Sequence, residues 1–400
     1  MLDQMMNARR SPSHVSGASP TQGARKGEST LCIAAEVTPG TLPGRTRANH
    51  KQGKEGHMQK KDLDWEHLSF SYMPTDYSYV SNYKDGAWDE GALTTDHSIT
   101  LSECAGIFHY CQEVFEGLKA YTTKNGDVVC FRPDQNAARM AGSARRIVMP
   151  PFPEDRFVDA VEKVVRANAA WVPPYGSGAT LYVRPLMIAT GDVIGVKPAD
   201  EYQFRILVTP VGPYYSGGVR PVAVKVSEYD RAAPHGTGNI KAGLNYAMSL
   251  YPSVEAHAEG YADNMFLDPE TRTFVEESGG ANFLFVKKDG TLVVPQSATD
   301  SILPSITRRS LVDVAQNMLG MTVEQRPVRF DEIGEFVECG MCGTAAVISP
   351  VGKVVGPDGE VVYGMDEVGP VMRKLRETLT GIQSGEVEDK FNWVHKIDVE

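Results

Sequence analysis

The stretch Gly236-Thr-Gly-Asn-Ile-Lys241-Ala-Gly243 places one lysine among small, flexible residues, between a loop that contains Pro234 and the start of a helical pattern. Glycines at such a junction allow another group to approach the backbone closely. The stretch is not a dinucleotide-binding turn, because Lys241 stands where the third glycine belongs, and it lacks the Lys-Ser or Lys-Thr pair of a P-loop. On this pattern alone, a solvated surface lysine is the ordinary interpretation, and the function of Lys241 stays open.

The chain on either side of this stretch alternates strand and helix signals without an internal repeat, which predicts a mixed α/β fold. Turn residues between strand-like runs predict hairpins over 120–131, 283–294 and 353–363. Apolar residues at three- and four-residue spacings predict helices over 134–147, 154–171, 245–259, 305–319 and 367–382. A predicted strand over 202–210 ends in a Gly/Pro-rich segment, which is typical of a connection between domains. We therefore predict a smaller domain over 62–210, a loop over 211–220 and a larger domain over 221–400.

The composition lacks the features of a nucleic-acid or membrane protein. The 400 residues include 51 Asp+Glu and 40 Lys+Arg, for a formal net charge of −11, and this balance repels phosphate backbones. No apolar run approaches the ~20 residues that a membrane-spanning helix needs. Six cysteines are too few for a disulfide scaffold in a chain of this length, which favours a reducing, cytoplasmic compartment.

Residues 1–57 differ in composition from the rest of the chain. They contain no aromatic residue, and their eight Lys/Arg stand against four acids. Such a segment cannot build a hydrophobic core. Three interpretations are open: an organellar transit peptide, a disordered tail, or a start assigned too early, with Met58 as the true first residue. We favour Met58, because Met58-Gln-Lys-Lys leads directly into the patterned sequence that starts at Leu63.

Seven motifs, in order along residues 62 to about 395, form one set: His109–Tyr121, Phe131–Arg139, Leu181–Pro185, Arg231–Ala247, Val275–Asn282, Leu303–Arg308 and Cys342–Val347. The set resembles the branched-chain amino acid aminotransferases, which are fold type IV enzymes that use pyridoxal 5′-phosphate. The resemblance implies a two-domain α+β fold, with a smaller N-terminal α/β domain, a larger C-terminal α/β domain and the cofactor between them.

The resemblance also implies roles for the residues around the cofactor. Lys241 would form the Schiff base with the cofactor aldehyde and move the proton at the substrate Cα. Glu277 would pair with the pyridine nitrogen and keep the ring protonated, and Tyr246 would lie beside the 3′-oxygen. The 5′-phosphate would be held by a guanidinium, by the start of a helix and by a small-residue turn. The residues implied for the phosphate are Arg139, Ile306, Thr307 and Thr344.

The substrate residues that the resemblance implies form a pocket for both an apolar and an acidic substrate. Phe115 and Tyr182 resemble the apolar wall, and Arg184 resembles the residue that meets the second carboxylate of 2-oxoglutarate. Tyr110 resembles a residue supplied across a homodimer interface. The α-carboxylate would be bound by N–H groups of the turn Thr344-Ala345-Ala346. The implied activity is reversible amino transfer from L-leucine, L-isoleucine or L-valine to 2-oxoglutarate, as in branched-chain amino acid biosynthesis.

Several alternatives remain at this stage. A D-amino acid aminotransferase or an aminodeoxychorismate lyase of the same fold would share Lys241 and Glu277. A silent cofactor-binding protein would keep the phosphate site but lose Lys241 or Glu277, and both are present. Cys339-Gly-Met-Cys342 has no second cysteine pair, so a zinc site is not expected, while a thiol redox role stays open. The histidines form no metal-binding spacing on a predicted helix, and we expect no metal.

Overall fold

The computed structural model describes residues 59–213 and 218–399. The segment over 1–57, the proposed start at Met58, residues 214–217 of the predicted loop over 211–220, and residue 400 of the larger domain lie outside the described residues. Within the described residues, no helix is both long and apolar enough to cross a membrane.

The strands of the described residues form two sheets. Their bounds are β1 Ser78–Lys84, β2 Ala87–Trp88, β3 Ala92–Thr94, β4 Glu113–Phe115, β5 Leu118–Thr122, β6 Val128–Phe131, β7 Thr180–Ala189, β8 Tyr202–Val211, β9 Val222–Val226, β10 Asp263–Met265, β11 Asn282–Val286, β12 Leu292–Pro295, β13 Val323–Arg326, β14 Glu338–Gly343, β15 Val347–Gly356, β16 Gly359–Val362 and β17 Val394–Ile397. The predicted mixed α/β fold is thus confirmed.

The first sheet has the order β17-β6-β5-β7-β8-β1-β2, with β3 beside β1 and β4 beside β7. The second has the order β10-β9-β15-β14-β11-β12-β13, with β16 beside β15. All three predicted hairpins are present, as β5–β6, β11–β12 and β15–β16. Strand β17 comes from the predicted larger range, yet it pairs with β6 of the first sheet. The division into two domains stays a prediction.

Five α-helices of the described residues lie close to their predicted positions, and a short one, α1 Gly106–Tyr110, was not predicted. The five are α2 Pro133–Arg146, α3 Glu154–Ala167, α4 Gly243–Ala258, α5 Ile306–Asn317 and α6 Pro370–Ser384. Helix α3 ends four residues before its predicted end, because the buried side chain of Asn168 accepts hydrogen bonds from the backbone N–H groups of Asp76 and Tyr77. Helix α6 begins at Pro370 rather than at 367, since proline fits the first turn and not the interior of a helix.

Each sheet is covered by helices that bury an apolar face. Helix α3 packs Phe157, Val161 and Val164 into the core of the first sheet, where the rings of Phe152 and Phe204 stack 4.0 Å apart. Helices α5 and α6 cover the second sheet with a matching set that includes Leu311, Val314, Leu375 and Leu379. Burying each such side chain stabilises the fold by about 1.5–3 kcal/mol. The two sheets with their packed helices support the loops that carry the candidate site.

Candidate active site

Lys241 lies just before α4, in a backbone segment that is fixed from two sides. Its N–H donates to the Ser143 hydroxyl of α2 at 3.0 Å, and its carbonyl accepts from the N–H of Phe115 at 3.1 Å. The side-chain amine donates to the Tyr246 hydroxyl at 2.6 Å and lies 4.5 Å from the centroid of the Phe115 ring. The lysine is therefore held against two aromatic rings rather than extended into solvent, contrary to the surface interpretation of the isolated pattern.

The surroundings of Lys241 favour its neutral form. Burial lowers the pKa of Lys241 to about 7, helped by the positive charges of Arg139 and Arg184 and opposed by the carboxylates of Glu116 and Glu277. A neutral amine is nucleophilic, whereas an ordinary surface ammonium is not. A large fraction of this lysine is consequently available for covalent or acid/base chemistry near neutral pH.

Glu277 is a buried carboxylate with three donors. The Arg231 guanidinium lies 2.6 Å from its Oε1, which also accepts from the N–H of Leu303 at 2.8 Å, and its Oε2 accepts from the Asn282 amide at 2.8 Å. Burial raises the pKa of Glu277, while Arg231 and the Leu303 N–H oppose this rise. The charge of Arg231 and the hydrogen bonds make the site suitable for a carboxylate that faces a cationic ring nitrogen.

Arg139 lies on α2 in a bidentate ion pair with the fully buried Glu116. Its Nε donates to Glu116 Oε1 at 2.7 Å and its Nη2 to Oε2 at 2.8 Å. The Nη1 atom makes a longer bond, of 3.3 Å, to the carbonyl of Pro304. Because Glu116 occupies one edge of the guanidinium, the Nη1 edge is the part of Arg139 that faces the start of α5.

The start of α5 has the properties of an anion site. Ser305 caps the helix by accepting from the N–H of Arg308, and the first turn contains no acidic residue. The helix dipole and the free N–H groups of such a turn favour a negative charge. Ile306, Thr307 and Thr344 line one cavity together with Gly117, which lies between β4 and β5. The structure thus places three of the residues predicted to bind phosphate, Ile306, Thr307 and Thr344, around one cavity. The fourth, Arg139, is linked to the start of α5 by its hydrogen bond to the carbonyl of Pro304.

One face of the first sheet carries the residues predicted to contact the substrate side chain. Tyr182 and Arg184 are two residues apart on β7, so they point to the same side. The Arg184 guanidinium donates to the Tyr182 hydroxyl at 3.0 Å and lies 4.8 Å from the Phe115 ring. Its Nε is buried and has no hydrogen-bond partner among the described residues. The face therefore combines aromatic side chains with a guanidinium whose Nε–H makes no hydrogen bond to the described residues.

The turn between β14 and β15 contains Ala345 and Ala346, which were predicted to bind a carboxylate through backbone N–H groups. The carbonyl of Ala345 accepts from the Lys119 amine at 2.7 Å. Val347, the next residue, has φ of 65°, a conformation that β-branched residues rarely adopt. The turn is therefore an irregular segment held from outside by a residue of the first sheet.

Tyr110 lies in α1, and its hydroxyl donates to the carbonyl of Ile194. Around it, the side chains of Phe108, Ile194 and Val196 are 61%, 73% and 89% exposed. Tyr110 thus reaches a surface loop with its hydroxyl and packs against the core of the first sheet, whereas Phe115, Tyr182 and Arg184 contact each other or the lysine.

Three charged residues that the sequence patterns left without a role belong to this site. Glu116 pairs with Arg139, Arg231 pairs with Glu277, and Lys119 holds the Ala345 turn. All three lie inside the quoted motifs, but their partners lie in other elements. The pairs therefore could not be predicted from the spacing of residues along the chain.

The described cysteines are free thiols. Cys339 and Cys342 are buried in β14, and burial raises the pKa of Cys342 to about 12, which keeps it as an unreactive thiol. In the described part of the chain, no group of three or more His, Cys, Asp or Glu side chains is arranged to hold a metal ion.

Replacing Gly238 with alanine is expected to lower the free energy of unfolding by about 1–3 kcal/mol. A Cβ at this position would overlap the backbone carbonyl of Ser301, which cannot move without shifting the loop before α5. Thermal unfolding of the protein would measure the effect. The matched control is Gly280→Ala, where a Cβ would meet nothing within 4 Å. Equal stability of the two variants would contradict this account of the loop.

Comparison with known proteins identifies related chains. The sequence model of the family described as "Amino-transferase class IV" matches residues 113–354. The branched-chain-amino-acid aminotransferase of Haemophilus influenzae is 48% identical, over 84% of this chain and 100% of that protein. "Branched-chain-amino-acid aminotransferase 5, chloroplastic" of Arabidopsis thaliana is 41% identical, over 83% of this chain and 80% of that protein.

Solved structures of similar chains share the fold. The Escherichia coli branched-chain amino acid aminotransferase has a TM-score of 0.70 and 28% identity, covering 81% of this chain and 100% of its own. The enzyme of the same name from Thermobaculum terrenum, in its PLP-form, has a TM-score of 0.67 and 28% identity, covering 81% of this chain and 99% of its own.

Proposed function

Because the chain belongs to the branched-chain-amino-acid aminotransferases of aminotransferase class IV, we propose that Lys241 is the residue through which it performs their reaction. The reaction is reversible transfer of the amino group of L-leucine, L-isoleucine or L-valine to 2-oxoglutarate, giving the branched 2-oxo acid and L-glutamate. The proposed cofactor is pyridoxal 5′-phosphate. The observation that carries the assignment of Lys241 is the buried amine, with its lowered pKa, beside Tyr246.

The chemistry of the donor set fits this cofactor. A phosphate dianion suits the start of α5, the Thr344 hydroxyl and the Nη1 edge of Arg139. A protonated pyridine nitrogen suits the Glu277 carboxylate, and a phenolic oxygen suits the Tyr246 hydroxyl. When bound, pyridoxal 5′-phosphate supplies an aldehyde that condenses with amino groups and a ring that withdraws electrons from the substrate Cα.

Lys241 has two roles in this proposal. Its neutral amine would bind the cofactor aldehyde, and the released amine would carry the proton between the substrate Cα and the cofactor carbon that bore the aldehyde. The Tyr246 hydroxyl holds the amine at 2.6 Å and limits the directions it can take. A base near pKa 7 is well matched to proton transfer at neutral pH.

Glu277 and Arg231 act as a unit on the ring. The carboxylate of Glu277 would stabilise a proton on the pyridine nitrogen of the bound cofactor, and Arg231 favours the ionised form of that carboxylate. Arg231 also donates to the carbonyls of Gly238 and Ser301, so it ties the lysine segment to the loop that precedes α5.

The residues of the substrate face suit both substrate side chains, one branched and aliphatic and the other acidic. Phe115 and Tyr182 offer apolar surface to a branched aliphatic group, and the Arg184 guanidinium, already stacked on both rings, offers donors to the second carboxylate of 2-oxoglutarate. The α-carboxylate common to both substrates is assigned to the N–H groups of Thr344, Ala345 and Ala346.

We also propose that the protein works as a homodimer in which Tyr110 contributes to the partner's site. Two sets of exposed apolar side chains support an association: Phe108, Ile194 and Val196, and, on the outer face of α4, Leu250, Tyr251 and Val254. Light scattering of the protein as it elutes from a size-exclusion column is expected to give at least twice the chain mass, and the mass of a monomer would contradict the proposal.

The compartment we propose is the cytoplasm, because the few cysteines favour a reducing environment. A transit peptide in residues 1–57 would direct the protein to an organelle instead.

The test of the proposed function is an absorbance spectrum of the purified holoenzyme before and after substrates. L-leucine is expected to convert the aldehyde form of the cofactor into its amine form, and 2-oxoglutarate is expected to reverse the change. D-alanine, added to a fresh sample, is expected to leave the spectrum unchanged. A response to D-alanine alone would assign the protein to the D-amino acid aminotransferases instead. Release of pyruvate from added aminodeoxychorismate would assign it to the aminodeoxychorismate lyases.

A further inference from the structure

Lys119 lies on the substrate face of the first sheet. Strand β5 pairs with β7 so that Lys119 is directly opposite Tyr182, and directly paired residues point to the same side of a sheet. Gly117, two residues earlier, allows the Tyr182 ring to lie across β5, since a Cβ there would overlap the Tyr182 hydroxyl. The amine of Lys119 therefore extends from the face that carries the side-chain pocket.

The partner of Lys119 belongs to the second sheet. The amine donates to the carbonyl of Ala345 at 2.7 Å, which is the short distance of a charge-assisted hydrogen bond. This bond spans from β5 to the turn between β14 and β15. It links the sheet face that carries the pocket for the substrate side chain to the turn assigned to the substrate carboxylate.

We propose that Lys119 is a positioning residue for the α-carboxylate site, an inference that rests on the proposed function. The carbonyl of Ala345 and the N–H of Ala346 belong to one planar peptide unit and point in opposite directions. A donor that fixes the carbonyl therefore fixes the direction of the N–H. The same hydrogen bond polarises the peptide and strengthens its N–H as a donor to an anion.

Two further observations support this role. The turn lacks a long side chain of its own, and it leads into Val347 at φ of 65°, so an external anchor is needed to keep its conformation. The second observation concerns charge. Burial lowers the pKa of Lys119 to about 8, helped by the charge of Arg376, so most of the amine stays protonated at neutral pH. A buried cation behind the turn attracts a carboxylate in front of it.

The experiment compares the steady-state kinetics of wild-type holoenzyme with those of Lys119→Met. We expect KM to rise about tenfold for both L-leucine and 2-oxoglutarate, because both carry an α-carboxylate, with kcat reduced less than about twofold. Arg184→Met serves as a comparison, because it should raise KM for 2-oxoglutarate far more than for L-leucine. Lys119→Arg, which keeps the charged donor, should bring both KM values back to within about threefold of wild type.

A second measurement separates binding from turnover. Titration of the holoenzyme with 4-methylpentanoate, which has the side chain and carboxylate of leucine but no amino group, should show about tenfold weaker binding in Lys119→Met. Lys119→Gln gives the same comparison if the methionine variant does not fold. The matched control is Lys124→Met, an exposed lysine in the turn after β5, for which all values should equal wild type.

Unchanged KM and unchanged 4-methylpentanoate binding in the Lys119 variants would overturn the inference, as would a loss confined to kcat. Failure of wild-type holoenzyme to turn over L-leucine would instead overturn the proposed function. The two failures are thus distinguished by the wild-type protein alone.

Discussion

Replacing Lys241 with alanine is expected to reduce turnover of L-leucine by at least about 10⁴-fold and to leave a folded protein. The substitution removes both the amine that binds the cofactor and the base that acts at Cα. The fold should survive, because a buried lysine with a lowered pKa contributes little to stability. Stopped-flow and steady-state assays, with circular dichroism of the same samples, would measure both parts.

Chemical rescue makes this prediction specific. A small amine such as ethylamine should restore part of the proton transfer in Lys241→Ala, since the cavity left by the side chain can admit it. The control is Lys288→Ala, an exposed lysine on the β11–β12 hairpin, which should retain wild-type activity. Activity of Lys241→Ala above about one per cent of wild type without added amine would contradict the role of the residue.

Arg139→Met is expected to have the largest effect on stability, about 3–5 kcal/mol. The substitution leaves the fully buried carboxylate of Glu116 without its bidentate partner, and an uncompensated buried charge is costly. It should also weaken retention of pyridoxal 5′-phosphate by about 10–100-fold, because a charged donor to the phosphate is lost. Denaturant unfolding of the cofactor-free protein and dialysis of the holoenzyme would measure the two effects.

A double variant separates the two consequences. In Glu116→Gln with Arg139→Met, the buried charge is gone and the Gln amide oxygen still accepts from Asn136, so most of the stability should return. Cofactor retention should stay weak, because Arg139 is still absent. Equal stability of Arg139→Met and wild type would refute the account of the pair, and recovery of cofactor binding in the double variant would refute the phosphate role.

Local patterns predicted the elements of this fold well, and tertiary contacts explain where they failed. The hairpins and helices follow from turn residues and apolar periodicity, which act over a few residues. The early end of α3 was missed because Asn168 is recruited by a segment far away in sequence. The site shows the same limit, since motif similarity named Arg139 and Glu277 but not the counter-charges of Glu116 and Arg231, which are set by the packing of separate elements.

Strand β17 is the last strand of the described chain, and this position affects when the first sheet can be completed. Strand β6 obtains its outer neighbour only from residues 394–397, so during synthesis β6 itself stays at the open edge of the first sheet until nearly the whole described chain has left the ribosome. Completion of the two sheets is thereby coupled, and a chain cut before β17 would expose β6 to pairing with other nascent chains. Protection of β6 therefore depends on synthesis of the chain as far as residue 397.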